Sequence, residues 1–119
     1  SSYNVAVGFN AGVSITTATQ NTLIGGLAGD AITTGNSNTA VGKSALTVTT
    51  TGAENTAIGQ NSLASNTTGS YNTALGQAAL DASTTGDYNT AVGYNSGGSV
   101  TTGQNNTLIG GLAGDALTP

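Results

Sequence analysis

Few side chains in this chain could carry out chemistry. Its 119 residues include no His and no Cys, and the only basic residue is Lys43. Nucleophilic and general acid–base catalysis need a base close to a nucleophile, and the many Ser and Thr hydroxyls have no such partner. We therefore expect that the chain is not an enzyme, has no catalytic residue and holds no cofactor.

The charged residues also restrict the class of partner. Five acids stand against the single lysine, which gives a formal net charge of −4; the acids are Asp30, Glu54, Asp81, Asp87 and Asp115. Nucleic acids and anionic lipid surfaces are bound by several Lys or Arg side chains together. No stretch has the length and hydrophobicity of a membrane span. The sequence thus predicts no nucleic-acid partner and no membrane insertion.

Two glycine-rich segments, 25–30 and 110–115, are similar to the turns of calcium-binding repeats. Each has the pattern Gly-Gly-x-x-Gly-Asp, whereas the calcium repeat has Gly-Gly-x-Gly-x-Asp. A calcium ion also needs several converging oxygen ligands, and the pattern occurs in only two repeat units. We interpret Asp30 and Asp115 as solvated turn residues and predict no metal site.

The elements that position these side chains follow from a repeat of 17 residues. The motif Asn-Thr-Ala-aliphatic-Gly returns without insertion, and seven units fill one array over residues 1–119: 1–17, 18–34, 35–51, 52–68, 69–85, 86–102 and 103–119. A short fixed period of this kind indicates stacked copies of one supersecondary unit. We expect the array to be a fragment of a longer fibre, because the chain stops at a unit boundary.

Each unit is expected to form one coil of a β-solenoid, so that the chain is all-β. Recurring Gly and Asn disfavour helix, and no helical periodicity is present. The segment Thr39, Ala40, Val41 predicts a short strand that ends at Gly42, and the Thr-Thr-Gly segments predict a second short strand. Parallel coils stack about 4.8 Å apart, so equivalent residues lie above one another.

This stacking converts each invariant repeat position into a column with its own role. A hydrogen-bonded structural ladder is expected from the asparagines at position 4: Asn4, Asn21, Asn38, Asn55, Asn72, Asn89 and Asn106. The spine of a thin core is expected from the aliphatic residues at position 7: Val7, Ile24, Val41, Ile58, Leu75, Val92 and Ile109. Turns are expected at the glycines of position 8: Gly8, Gly25, Gly42, Gly59, Gly76, Gly93 and Gly110.

The size of side chains near position 12 varies from unit to unit. Leu occupies position 12 in units 3 to 5, whereas units with Gly there carry a bulky residue at position 9 or 10: Phe9, Leu27, Tyr94 and Leu112. We interpret this variation as compensation within the core. Because a single 17-residue coil buries little apolar area, we also predict self-association, most simply as a parallel homotrimer.

Two segments show the repeat motif in full: Asn55-Thr-Ala-Ile-Gly-Gln-Asn-Ser-Leu-Ala and Asn89-Thr-Ala-Val-Gly-Tyr-Asn-Ser. Through them the repeat resembles the head repeats of trimeric autotransporter adhesins and the Asn-Thr-Ala-Val-Gly repeats of phage tail-fibre proteins. The resemblance covers the whole chain and implies a left-handed parallel β-roll with three chains side by side. The adhesin repeat is shorter than 17 residues, so the additional residues must enlarge a turn.

These features lead to three hypotheses of function. The first is a non-enzymatic structural region of an extracellular fibre, on a phage particle or a bacterial surface, whose partners are other copies of itself. A cell-surface glycan or receptor would then be bound by regions outside this chain. The second is a filament whose subunits stack end to end, because open sheet edges promote further pairing. The third is an ice- or glycan-binding module, suggested by the threonine columns and by the tyrosines.

Overall fold

The chain is a parallel β-solenoid, as the repeat predicts. The structure, a computed structural model, describes residues 3–115, and these contain strands but no helix. Every coil contributes one three-residue strand to a single sheet, in chain order: β1 (Val5–Val7), β2 (Thr22–Ile24), β3 (Thr39–Val41), β4 (Thr56–Ile58), β5 (Thr73–Leu75), β6 (Thr90–Val92) and β7 (Thr107–Ile109). The molecule is elongated and measures 42 × 21 × 16 Å.

Neighbouring coils are in register at the repeat length of 17 residues. Thr39 pairs with Thr56, Ala40 with Ala57 and Val41 with Ile58, and the same offset holds for every adjacent pair of strands. In each strand the two outer residues face away from the coil and the middle residue faces inward, because successive side chains in a strand alternate. The inward residue is therefore the one at position 6.

The core does not use the residues that the sequence analysis assigned to it. The position-7 aliphatic residues are not its spine, since Val7, Ile58 and Ile109 are 57%, 38% and 70% exposed. The whole position-7 column lies on the outer face of the sheet. Buried hydrophobic side chains come mainly from positions 6, 11 and 12 instead: Leu23, Ala28, Ala40, Ala45, Leu46, Ala57, Leu63, Ala74, Ala79, Leu80 and Ala91.

Side-chain volume inside the coils is exchanged between positions 6 and 12. Coils 3 to 5 combine Ala at position 6 with a buried Leu at position 12, as in Ala40 with Leu46. Coil 2 has the reverse arrangement, with Leu23 at position 6 and Gly29 at position 12. The Leu23 side chain fills the space beside Gly29, since a Cβ added to Gly29 would lie only 2.8 Å from it. The space at Gly12 of coil 1 is also filled by Leu23, at the same distance.

The compensation predicted from positions 9 and 10 is therefore wrong. Phe9, Tyr94 and Leu112 are largely exposed, and Leu27 is only partly buried. The predicted second strand is also not formed: the Thr-Thr-Gly segments are irregular, although their backbones still bond from coil to coil. For example, the Thr67 N–H donates to the Thr84 carbonyl at 2.8 Å.

Close approach of successive coils explains the glycine at position 8. Its φ lies between 126° and 135° in every coil, a region that side chains with a Cβ rarely adopt. A Cβ added to Gly42 would also lie 2.7 Å from the carbonyl carbon of Gly59 in the next coil. The corner after each strand thus requires Gly for both its conformation and its contact distance.

This corner gives a matched pair of variants. Gly42→Ala should lower the free energy of unfolding by about 2 kcal/mol or more, because the added methyl group strains φ and pushes coils 3 and 4 apart. Gly26→Ala is the control, since a Cβ there meets nothing within 4 Å. Urea-induced unfolding followed by circular dichroism measures both changes. Equal stability of the two variants would contradict the close-contact explanation.

Candidate functional site

The outer side of the sheet is a regular surface that runs through all seven strands. We call it the strand face, and it consists of the outward residues of β1 to β7 at positions 5 and 7: Val5, Thr22, Thr39, Thr56, Thr73, Thr90, Thr107, Val7, Ile24, Val41, Ile58, Leu75, Val92 and Ile109. It carries no charged side chain. Hydroxyl-bearing and purely aliphatic columns therefore run side by side along the solenoid.

The aliphatic column of the strand face is unusual for a surface. Its residues recur in every coil, so they form one continuous apolar stripe and not the scattered apolar side chains of an ordinary surface. Contiguous exposed apolar stripes mark sites of interaction in soluble proteins. The strand face is consequently the principal candidate for binding, and its chemistry suits an uncharged partner surface.

Inside the coil, the position-4 asparagines form a continuous ladder of hydrogen bonds. In all six steps the backbone N–H of one asparagine donates to Oδ1 of the asparagine before it, as in Asn55 to Asn38 and Asn72 to Asn55, both at 3.0 Å. The side-chain amide donates to the position-1 carbonyl of the next coil, for example from Asn55 to Gly69 at 2.9 Å. The side chains from Asn21 to Asn89 are buried, so this column is structural.

A second column of hydroxyl groups joins the coils at position 16. The Thr16 hydroxyl donates to the Thr33 carbonyl at 3.0 Å, and Thr33, Thr50, Thr67 and Thr84 each do the same to the next coil. Thr118, which the repeat places in the same column, lies outside the described residues. At position 17 the threonines from Thr17 to Thr102 are exposed, and in coils 2 to 5 the position-16 partner is partly buried, so there only one member of each Thr-Thr pair is fully exposed.

The acidic residues do not converge on a common point. Within residues 3–115, no three side chains of the His, Cys, Asp or Glu type come together as metal ligands would. In the first glycine-rich segment, the Asp30 carboxylate accepts a hydrogen bond from the Thr47 hydroxyl at 2.7 Å. In the second, Asp115 accepts one from the Asn95 amide at 3.2 Å.

The tyrosines at position 3 form an aromatic stack on another side of the molecule. The rings of Tyr71 and Tyr88 are 4.9 Å apart between centroids and within 2° of parallel. Glu54 occupies the same position one coil earlier, and its carboxylate, followed by Tyr88 and by partial burial, raises the pKa of the Tyr71 phenol above its usual 10.0. Since each ring covers one face of the other, the pair offers less free ring surface for stacking on a sugar.

One polar cluster inside the core was missed by the sequence analysis. Position 15 carries Ile in coils 1 and 2 but Thr49, Asn66 and Ser83 in coils 3 to 5, all three fully buried. Thr49 donates to the Asn66 carbonyl at 2.9 Å, whereas Asn66 Oδ1 and Ser83 Oγ have no partner among the described residues. The three coils with polar residues at position 15 are those with Leu at position 12, a coincidence visible in the sequence.

Comparison with protein-family models, with curated proteins and with solved structures finds no match to this chain. No helix of sufficient length and hydrophobicity to cross a membrane occurs in residues 3–115. The features of the chain that bear on its function are therefore the repeat, the strand face and the ladders.

The asparagine ladder can be tested at its centre. Asn55→Ala should reduce the free energy of unfolding by about 3 kcal/mol, because the Asn72 N–H and the Gly69 carbonyl would each lose a buried partner. Gln60→Ala changes an exposed side chain in the same coil and should alter stability by less than about 0.5 kcal/mol. Denaturant unfolding of both variants is the measurement, and a similar small loss in each would show that the ladder adds little stability.

The raised pKa of Tyr71 gives the direction of a pH effect. A raised pKa in the folded state means that folding favours the protonated phenol, so its contribution to stability is present below pH 10 and is lost as the pH rises through the folded value. Tyr71→Phe removes the ionising hydroxyl and should flatten the fall in melting temperature above pH 10. A thermal melt at each pH is the measurement, and a fall in Tyr71→Phe as steep as in the unmodified chain would contradict this effect.

Proposed function

We propose that this chain is a non-enzymatic structural repeat region of an extracellular fibre, a phage tail fibre or a bacterial surface adhesin. Copies of the chain pack side by side through their strand faces, and the resulting rod supports attachment. A glycan or receptor on the target cell is bound by regions outside these 119 residues. The observation that carries this proposal is the continuous aliphatic stripe that one chain by itself leaves exposed.

Packing of copies against one another removes this stripe from water. Each coil presents one Val, Ile or Leu at position 7, and full burial of an exposed side chain of this kind contributes about 1.5–3 kcal/mol. The gain per coil is smaller in coils 3, 5 and 6, where the position-7 side chain is already partly buried. Seven coils would together contribute enough to offset the loss of freedom on association. The neighbouring column of threonines has no net charge to desolvate, so the strand face can be buried at little electrostatic cost.

Parallel side-by-side association is supported by two features. Every adjacent pair of strands has the same 17-residue register, so parallel chains can keep their position-7 columns aligned over any number of coils. The interior of one chain is thin, because position 6 is Ala in most coils and the molecule is only 16 Å across its narrowest dimension. The number three itself is taken from the resemblance to trimeric adhesin heads.

The mechanical role follows from the direction of the hydrogen bonds. The strand ladder, the asparagine ladder and the threonine column all run along the long axis, so bending the rod must strain many hydrogen bonds together. Length can be increased by adding coils without changing the cross-section. A rod of this kind holds an attachment region at a distance from the particle or cell that carries it.

Two other functions are each supported by a specific observation. End-to-end stacking into a filament is supported by the outer edges of β1 and β7, which have no neighbouring strand within residues 3–115. Ice binding is supported by the strand face, where threonine and aliphatic columns form a regular array. Exposed side chains at position 9, Phe9, Lys43 and Tyr94, follow the strands and would interrupt a flat contact with a crystal surface.

The test of the proposal is disruption of the strand face. The unmodified chain should have three times the 11.4 kDa mass of a single chain in light scattering, independent of concentration. The double variant Ile58→Asp, Val92→Asp should become monomeric and remain folded, because both side chains face outward. Val48→Asp alters an exposed valine outside the strand face and should keep the trimer.

The other outcomes separate the alternatives. A chain that is monomeric at all concentrations would overturn the proposal. So would a Val48→Asp variant that dissociates as completely as the double variant does. A mass that grows with concentration would favour the filament, and thermal hysteresis of a monomeric chain would favour ice binding.

A further inference from the structure

Tyr71 and Tyr88 are held in a geometry that the fibre proposal does not use. They occupy position 3 in coils 5 and 6, and both backbones have φ near 60°. Their N–H groups each donate to a carbonyl of the preceding coil, Tyr71 to Ala53 and Tyr88 to Ser70, at 3.1 Å. The repeat therefore fixes both Cα–Cβ bonds in the same direction, and the rings stack in parallel, 47% and 56% exposed.

We propose that Tyr71 and Tyr88 are a site of oxidative cross-linking, at which a peroxidase with hydrogen peroxide joins coils 5 and 6 through dityrosine. This inference concerns a covalent modification and does not depend on the fibre function. It requires that both rings are accessible to a one-electron oxidant and that their reactive carbons are close together. Both requirements follow from the exposure and the stacking of the pair.

The reaction balances with one molecule of peroxide. Each phenol loses one electron and one proton, and the resulting radical is shared between the oxygen and the ring carbons ortho to it. One ortho carbon of each ring forms the new carbon–carbon bond. The two hydrogens on those carbons then move to the phenol oxygens, which restores both aromatic rings. In total, two hydrogen atoms leave the protein, and hydrogen peroxide is reduced to two molecules of water.

The surroundings favour this pair over the other tyrosines. Tyr71 and Tyr88 form the stacked aromatic pair of residues 3–115, whereas Tyr3 lies in coil 1 and Tyr94 lies at position 9 of coil 6, and neither belongs to a stacked pair there. The carboxylate of Glu54, which raises the pKa of Tyr71, is a base beside the phenol that can accept its proton during oxidation. Parallel rings on adjacent coils also bring equivalent ortho carbons together without unfolding of the backbone.

A bond at this place would add a covalent link between coils. The chain has no Cys and therefore no disulfide, so neighbouring coils are joined only by the continuous backbone and by non-covalent contacts. The cross-link joins two residues that are 17 positions apart and so closes a covalent loop. This loop should limit how far coils 5 and 6 can separate in the unfolded chain. Unfolding that spreads from coil to coil along the solenoid should then pass coils 5 and 6 less easily.

The test is treatment of the purified chain with horseradish peroxidase and hydrogen peroxide at low protein concentration. The intact mass should fall by two hydrogen atoms, dityrosine fluorescence should appear, and the product should migrate as one chain in a denaturing gel. Tyr71→Phe and Tyr88→Phe should each reduce the yield at least tenfold. Tyr94→Phe should keep it, which controls for the number of tyrosines.

Two further measurements make the result decisive. In denaturing urea the wild-type yield should fall, relative to the yield of N-acetyltyrosine amide oxidised in the same solution, because the stack is lost. The proposal is overturned if Tyr71→Phe forms as much single-chain dityrosine as the wild-type chain does, or if every cross-link joins two chains, while the small-molecule standard reacts normally.

Discussion

The structure depends on the equality of the repeat length and the length of one coil. Because each coil takes 17 residues, the same backbone hydrogen bonds recur at every step, as from the Thr39 N–H to the Asn55 carbonyl and from the Thr56 N–H to the Asn72 carbonyl, and every side chain lies beside its own counterpart. The Asn ladder shows the consequence most clearly, since each amide both accepts from and donates to its neighbours. An insertion of one residue before an Asn would place it beside position 5 of the preceding coil, Thr in most coils, and would leave buried polar groups without partners.

Much of the fold could be predicted from the sequence because the repeat fixes which residues lie above one another. The seven strands, their parallel order and their register all follow from the spacing of one motif. What could not be read from the period alone was the direction in which each position faces. The proposed trimeric packing, fibre role and extracellular location concern other chains or the whole organism, which no feature of one coil specifies.

The prediction that position 7 forms the core spine is wrong for a physical reason that can be read from the sequence. A strand alternates, so positions 4 and 6 face one way and positions 5 and 7 the other. The Asn at position 4 bonds best where water is excluded, which places Ala40 with Asn38 inside the coil and Val41 outside. The invariance of the aliphatic residue had suggested burial within its own coil. The same regularity is equally compatible with burial against another molecule. The position-7 residues lie on the strand face, so burial against another molecule is the possibility that the structure leaves open.

The exchange of volume between positions 6 and 12 has a consequence for how such arrays can change in length. Leu23 fills space beside both Gly29 of its own coil and Gly12 of the coil before. Removal of residues 18–34 would preserve the 17-residue phase but would place the small interior of coil 1 next to Ala40, leaving a leucine-sized void. Coils 3 to 5, which all combine Ala with Leu, are interchangeable by this criterion. Gain or loss of whole repeats during evolution should therefore be tolerated among like coils and penalised at the boundaries between unlike ones.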